Sequence, residues 1–228
     1  EAEQSPFAGN VAEKVDAYIP KLVRTAEPLG HPGDAIMGDN YKFVAELTNR
    51  ATKVTIPAPS RFHFQYGVNA IDESVYPNRE QFWDDVTQVY KSEIAGLENL
   101  GCNFIQIDDP ILSFFCDPTA TEKMQNDGEN PESLLKEYID ATNAAVSERA
   151  SSTTVGLHIC RGNARSTWAV SGGYAAIAEQ AFPHLDVDVF FLEFDDERSG
   201  DFEPLQLIPA STSIVLGLVT SKRSELES

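Results

Sequence analysis

The sequence predicts an α/β fold built on a parallel sheet. Three observations lead there. Five short segments, rich in β-branched and aromatic residues, run nearly continuously apolar and stop at Pro, Gly or acids, as strands buried on both faces do. Between them lie stretches with apolar residues every three or four positions, the period of an amphipathic helix. No Gly-rich phosphate loop follows any of the strands. That sets aside dinucleotide and nucleoside triphosphate sites and favours a (β/α)8 barrel over a doubly wound sheet.

The elements follow in order. The first 50 residues read as a helical segment, with helices around 10–25 and 40–50. "KVTIPAP" (53–59) is the first strand. "NREQFWDDVTQVYKSEIAGLENLG" (78–101) puts Phe82, Trp83, Val86, Tyr90, Ile94 and Leu97 on one stripe, with Asn78 as N-cap and Gly101 closing the helix. "NFIQIDDP" (103–110) is the second strand, and the polar run 117–133 reads as a long loop. The segment 131–150 begins with Pro at the first turn and carries Leu134, Leu135, Tyr138, Ile139 and Val146. "TVGLHIC" (154–160), a shorter helix at 172–182, "VDVFFLEF" (187–194) and "SIVLGLVT" (213–220) complete the alternation. A whole barrel has eight strands and typically about 250 residues. Five strands in 228 residues fall short of it. The expectation is one domain over 1–228, a barrel-like α/β fold that is incomplete.

Composition bounds the function. Lys and Arg number 17 against 36 Asp and Glu, a formal charge of −19. Such a field repels phosphate backbones and anionic lipid, so no nucleic-acid or membrane partner is expected. No apolar run is long enough to span a bilayer. The opening "EAEQSPFAGN" has neither a secretory-leader pattern nor an initiator Met, which suggests a chain processed or cut at its start. Three cysteines, Cys102, Cys116 and Cys160, are too few for a disulfide scaffold. They point to a reducing, cytoplasmic location, with Cys116 structural.

Strand alternation places the chemistry. Val155, Leu157 and Ile159 face one way, toward helices, and Gly156, His158 and Cys160 the other. By the same rule Gln106 and Asp108 turn inward, as does Glu193 with Val189 and Phe191. These polar residues fall at the C-terminal ends of three strands, the rim where barrel enzymes keep their active sites. Imidazole and thiolate together select zinc over magnesium or calcium. His158, Cys160 and Glu193 would make a three-ligand site with an open position, the usual catalytic arrangement. A His-x-Cys pair alone is more often core. Glu193 is the stronger anomaly, a carboxylate ending an apolar strand. Asp108 and Asp109 point to opposite faces and are not a glycosidase-type couple. The run "FDDER" (194–198) reads as a solvated loop whose acids could hold an ammonium group.

The order and spacing of "IQIDDP", "GLHICRGN", "SGGY", "DVDVFFLEFDDERSGDF" and "VLGLVTSK" resemble the C-terminal catalytic barrel of cobalamin-independent methionine synthase. The likeness is closer still to that family's short single-barrel relatives, and it runs over roughly residues 40–223. The resemblance implies a zinc-dependent transfer of a methyl group from a methyltetrahydrofolate to a homocysteine-like thiol. It implies His158, Cys160 and Glu193 as three of four zinc ligands, and Asp108 as the partner of the homocysteine amino group. Asp109 and Arg161 are taken with Asp108 as substrate-binding candidates. The family's proton-donating His falls near Lys222, its acidic folate contact near Phe114, and its folate-stacking Trp is unmatched, with Phe64 and Tyr66 nearby. The chain corresponds to the third through seventh barrel strands. The resemblance leaves the last strand, which carries the family's fourth ligand, a Cys, unmatched in this sequence.

Two other readings stand beside this one. The chain would act without catalysis, through binding or self-association at exposed sheet edges. Or it is a metal-free barrel related to the porphyrinogen decarboxylases, with Arg161 and Asp108 in the cleft.

Overall fold

The computed structural model describes residues 25–64, 71–163 and 166–224. The helix expected around 10–25 and the aromatic Tyr66 lie outside them. All five expected strands form: β1 (Val54–Pro57), β2 (Phe104–Asp108), β3 (Thr154–Ile159), β4 (Val189–Glu193) and β5 (Ser213–Gly217). They make one parallel sheet in the order β1-β2-β3-β4-β5. The architecture is therefore α/β, with an open sheet among the described residues.

Each interior strand alternates. Ile105, Ile107, Val155, Leu157, Ile159, Phe190 and Leu192 are buried, and they share one core with the helices that connect the strands. The opposite face carries Gln106, Asp108, His158, Phe191 and Glu193, all partly exposed. Gly156 keeps that face open: a Cβ there would stand 2.6 Å from the Phe191 ring. Lys53 crosses the same face, with its Nζ 4.5 Å from the Phe191 ring centre and donating to Gln106 at 2.5 Å.

The helices follow their sequence signals. The helix around 40–50 is α1 (Gly38–Glu46), and α2 (Ser60–Phe64) is a short turn after β1. The long α3 (Arg79–Asn99) starts where the Asn78 side chain accepts from the Gln81 amide, and Gly101 at φ +95° turns the chain out of it. Its apolar stripe packs on α5 (Pro131–Val146), which the Asn130 side chain caps at Ser133. The segment 172–182 gives α6 (Ala175–Ala181). The run 117–133 is not a loop throughout. Asp117 caps Thr119 and Ala120, Pro118 opens the first turn, and α4 (Pro118–Asn126) follows. It buries only Met124, so no apolar stripe announces it.

Far from the sheet's site end, the Glu93 carboxylate on α3 accepts from the Ile36 and Met37 amides at 2.6 and 2.9 Å and pairs with His31 at 2.9 Å. This anchors the start of α1. At the other edge, every residue of β5 is exposed. No described helix is long and apolar enough to cross a membrane.

Candidate metal centre

Asp108 ends β2 and stands in register with His158 on β3. The ladder continues past Asp108: the Ala58 amide donates to its carbonyl and the Asp109 amide to that of His158. These bonds fix the backbone under both side chains, and His158 Nδ1 lies 2.5 Å from Asp108 Oδ1. Cys160 follows two residues on, along the same strand face. One ligand atom each of Asp108, His158 and Cys160 falls within 4.8 Å of the other two. A nitrogen, a thiol sulfur and a carboxylate oxygen at this separation fit a zinc ion.

The local electrostatics agree. Burial pushes the Cys160 thiol up to about 11, and the Asp108 and Glu193 charges push the same way, against the Gly162 amide and Lys222. The thiol is therefore protonated at neutral pH unless a cation is present. A divalent ion held at the cluster would invert that balance and favour the thiolate.

Glu193 is at the same rim but is engaged elsewhere. Its carboxylate accepts from Arg198 at 2.6 Å and from the Arg161 amide at 3.2 Å, and Lys222 Nζ stands 3.3 Å away. Lys222 also reaches Asp195 at 3.4 Å. Arg198 bonds Asp195 at 2.7 Å and Asp196, and lies 4.6 Å from the centre of the Trp168 ring. Burial works against the Asp195 charge, yet Thr220, Lys222 and Arg198 hold its carboxyl below the usual range. The "FDDER" run is thus only partly a solvated loop: Asp195 is buried and pairs with Arg198 and Lys222, Asp196 pairs with Arg198, and Glu197 is exposed. Nothing in the sequence pairs Arg198 with Glu193, because the partners meet only through the short helical turn at Glu197–Ser199. An open cavity of about 340 Å³ lies beside the cluster, lined by Gln106, His158, Phe191, Glu193, Asp195 and Lys222 among others.

Asp109 and Arg161, expected at a substrate, are both fully buried. Asp109 accepts from Ser60 and from the Ile111 amide, capping the helical turn Pro110–Cys116. Burial raises its carboxyl to about 6 against those bonds. Arg161 directs its guanidinium to the carbonyls of Glu193, Gly172 and Ser199. That leaves it facing backbone and not a substrate, which removes the cleft arginine from the decarboxylase reading. Phe114 is buried against Phe64, with rings 4.8 Å apart. Cys116 is buried, and burial raises its thiol to about 12, consistent with a structural role.

The sequence matches the family described as "Cobalamin-independent synthase, Catalytic domain" over residues 67–228. The chain belongs to this family. Among its relatives, the uncharacterized protein YxjH of Bacillus subtilis is 42% identical over 216 residues, covering 94% of this chain and 55% of YxjH. A methionine synthase of Pyrococcus furiosus is 26% identical over 97% of this chain and 55% of its own length. The fold of a Listeria monocytogenes protein assigned as a vitamin-B12-independent methionine synthase matches with a TM-score of 0.68 at 30% identity, over 89% of this chain and 56% of that one. A B12-independent methionine synthase from Shewanella, solved with selenomethionine, matches in fold with a TM-score of 0.56 at 20% identity, over 81% and 49%. This member of the cobalamin-independent synthase family spans about half the length of the relatives it matches.

Proposed function

We propose that this chain carries the zinc-binding part of a thiol methyltransferase, one that moves a methyl group from a methyltetrahydrofolate-type donor to a homocysteine-like thiol. The observation that carries the reading is the convergence of Asp108, His158 and Cys160 at the C-terminal rim of the sheet, in a chain of this family. His158 and Cys160 would hold the ion, with Glu193 as the oxygen ligand. Bound there, zinc would favour the thiolate over the thiol of the acceptor near neutral pH.

The chain's own groups supply the rest. Asp108 accepts from His158 Nδ1, which leaves Nε2 as the ligand atom, the carboxylate–histidine arrangement common around zinc. Its second oxygen is suited to the ammonium of an amino-acid thiol. Lys222 lines the cavity beside His158, and in this proposal it would protonate the departing amine. Arg198 and Lys222 both pair with the Glu193 carboxylate beside the cluster. A closed eight-stranded barrel, completed by chain that the longer relatives possess, belongs to the same proposal, as does a cytoplasmic location.

The test is metal content and turnover together. The purified chain should hold zinc near one equivalent, and His158→Ala and Cys160→Ala should lose it. A longer form matching the relatives' length should methylate homocysteine from a methylfolate. Zinc-free wild-type protein, with no effect of either substitution, would reject the metal reading.

A second reading is favoured by β5, whose five residues are all exposed. It casts the chain as a binding or assembly module that pairs through this edge. Sedimentation velocity checks it, since a monomer at every concentration would exclude self-association.

A further inference from the structure

We infer that Arg161 and Tyr174 form a clamp that sets the spacing of Cys160 and Glu193, which makes both of them positioning residues for the metal centre. This rests on the reading that Cys160 and Glu193 belong to that centre. The last paired residues of β3 and β4 are Ile159 and Leu192. Cys160 and Glu193 lie one position further, where the ladder between the two strands has ended. Side chains take over from it there. The Tyr174 hydroxyl donates to the Ile159 carbonyl at 2.8 Å and accepts from the Glu193 amide at 3.0 Å. Arg161 Nη1 donates to the Glu193 carbonyl at 2.9 Å, and the Arg161 amide donates to Glu193 Oε2 at 3.2 Å. Glu193 is therefore gripped at its amide, its carbonyl and its carboxylate, while the residues on either side of Cys160 do the gripping or are gripped themselves.

The clamp is an expensive piece of structure for a purely architectural end. Arg161 is fully buried, and its Nε has no hydrogen-bond partner. Its Nη2 reaches the Gly172 and Ser199 carbonyls at 2.6 and 3.3 Å, and its guanidinium carbon lies 4.1 Å from the centre of the Tyr174 ring. Among the described residues its guanidinium bonds the carbonyls of Glu193, Gly172 and Ser199 and pairs with no carboxylate. A buried guanidinium without a counter-charge carries a large desolvation cost, and a packed core could fill the same volume with apolar side chains. The surrounding loops are shaped to receive it. Gly172 and Gly200 have φ of +132° and +77°. A Cβ on Gly200 would stand 2.6 Å from the Gly173 backbone. The close approach of these glycines brings both loop carbonyls to one side of the guanidinium.

Tyr174→Phe keeps the ring under Arg161 and removes the hydroxyl alone. Arg161→Lys keeps a cation but cannot span three carbonyls. Leu97→Ala, in the distant α3 core, is the control for general destabilisation. Zinc affinity is read by competition with a chromophoric chelator, and the site's geometry by the absorption spectrum of the cobalt-loaded protein. Thermal unfolding of the metal-free forms is measured in parallel. Tyr174→Phe and Arg161→Lys should weaken zinc binding about 10- to 100-fold, the range for groups that orient metal ligands, and alter the cobalt spectrum. Leu97→Ala should lower the melting temperature and leave both readouts unchanged. If Arg161→Lys fails to fold, Tyr174→Phe decides. Wild-type zinc affinity in Tyr174→Phe, where His158→Ala and Cys160→Ala have lost it, overturns the clamp. Wild-type affinity in those two variants as well overturns the metal reading and the clamp with it.

Discussion

Gly172 shows how tightly single residues are constrained beside the site. Its φ is +132°, and an added Cβ would stand 2.0 Å from the Cys116 carbonyl oxygen. Backbone cannot yield as a flexible side chain can. Gly172→Ala should therefore cost about 2–4 kcal/mol, seen as a fall of roughly 5–15 °C in melting temperature. His63 offers a test by pH. It is buried, its Nδ1 lies 2.7 Å from the Tyr138 hydroxyl, and its Nε2 is 3.8 Å from Glu129. Burial lowers it to about 4, helped by Arg79 and opposed by Glu129. The unfolded chain takes up the proton near 6.5 and the folded one only near 4, so His63 adds stability above pH 6.5 that is lost as pH falls toward 4. Between pH 7 and pH 4, wild type should lose on the order of 3 kcal/mol more than His63→Gln, measured as the change in urea midpoint. An equal loss in both would remove His63 from the account. At this scale the sequence was readable where alternation applied: it turned Asp108, His158 and Glu193 to one face. It assigned Arg161 to a substrate and was silent on Arg198, because a buried arginine's partners are carbonyls and acids brought together only by folded loops.

Whole elements were legible in proportion to their apolar pattern. The stripe on α3 and the capping residues Asn78 and Gly101 marked that helix to within a residue or two, and all five strands fell inside their expected segments. The exception, α4, is held by its N-terminus and not by a buried face. Asp117 accepts from Thr119 and Ala120, and its other oxygen accepts from the Ser171 amide at 3.0 Å. The Asp-Pro start was the one available signal. Asp117→Ala should cost about 1–2 kcal/mol and speed amide hydrogen exchange across 118–126 before it affects α5. Exchange that changes no more there than elsewhere would show that the cap does not hold the helix.

For the molecule as a whole, a metal ion held at the proposed site would couple local geometry to global stability. An ion bound only by the folded chain adds about 2.7 kcal/mol at a hundred times its dissociation constant. For a domain of this size, zinc should raise the melting temperature by roughly 5–10 °C. Chelator should reverse the rise, and His158→Ala should not show it. The number of strands and their parallel pairing were legible because each strand is bounded by helix signals. Closure into a barrel was not, since it depends on edges that alternation does not describe.

The sheet order β1-β2-β3-β4-β5 has a kinetic consequence. Each strand pairs with the one synthesised just before it, so no strand waits for a distant partner. Contacts close loops of one strand–helix–strand unit at a time, which keeps the entropy lost at each step small. Within β1–β5 the sheet can grow one strand at a time as the polypeptide leaves the ribosome, each new strand meeting the edge laid down just before it.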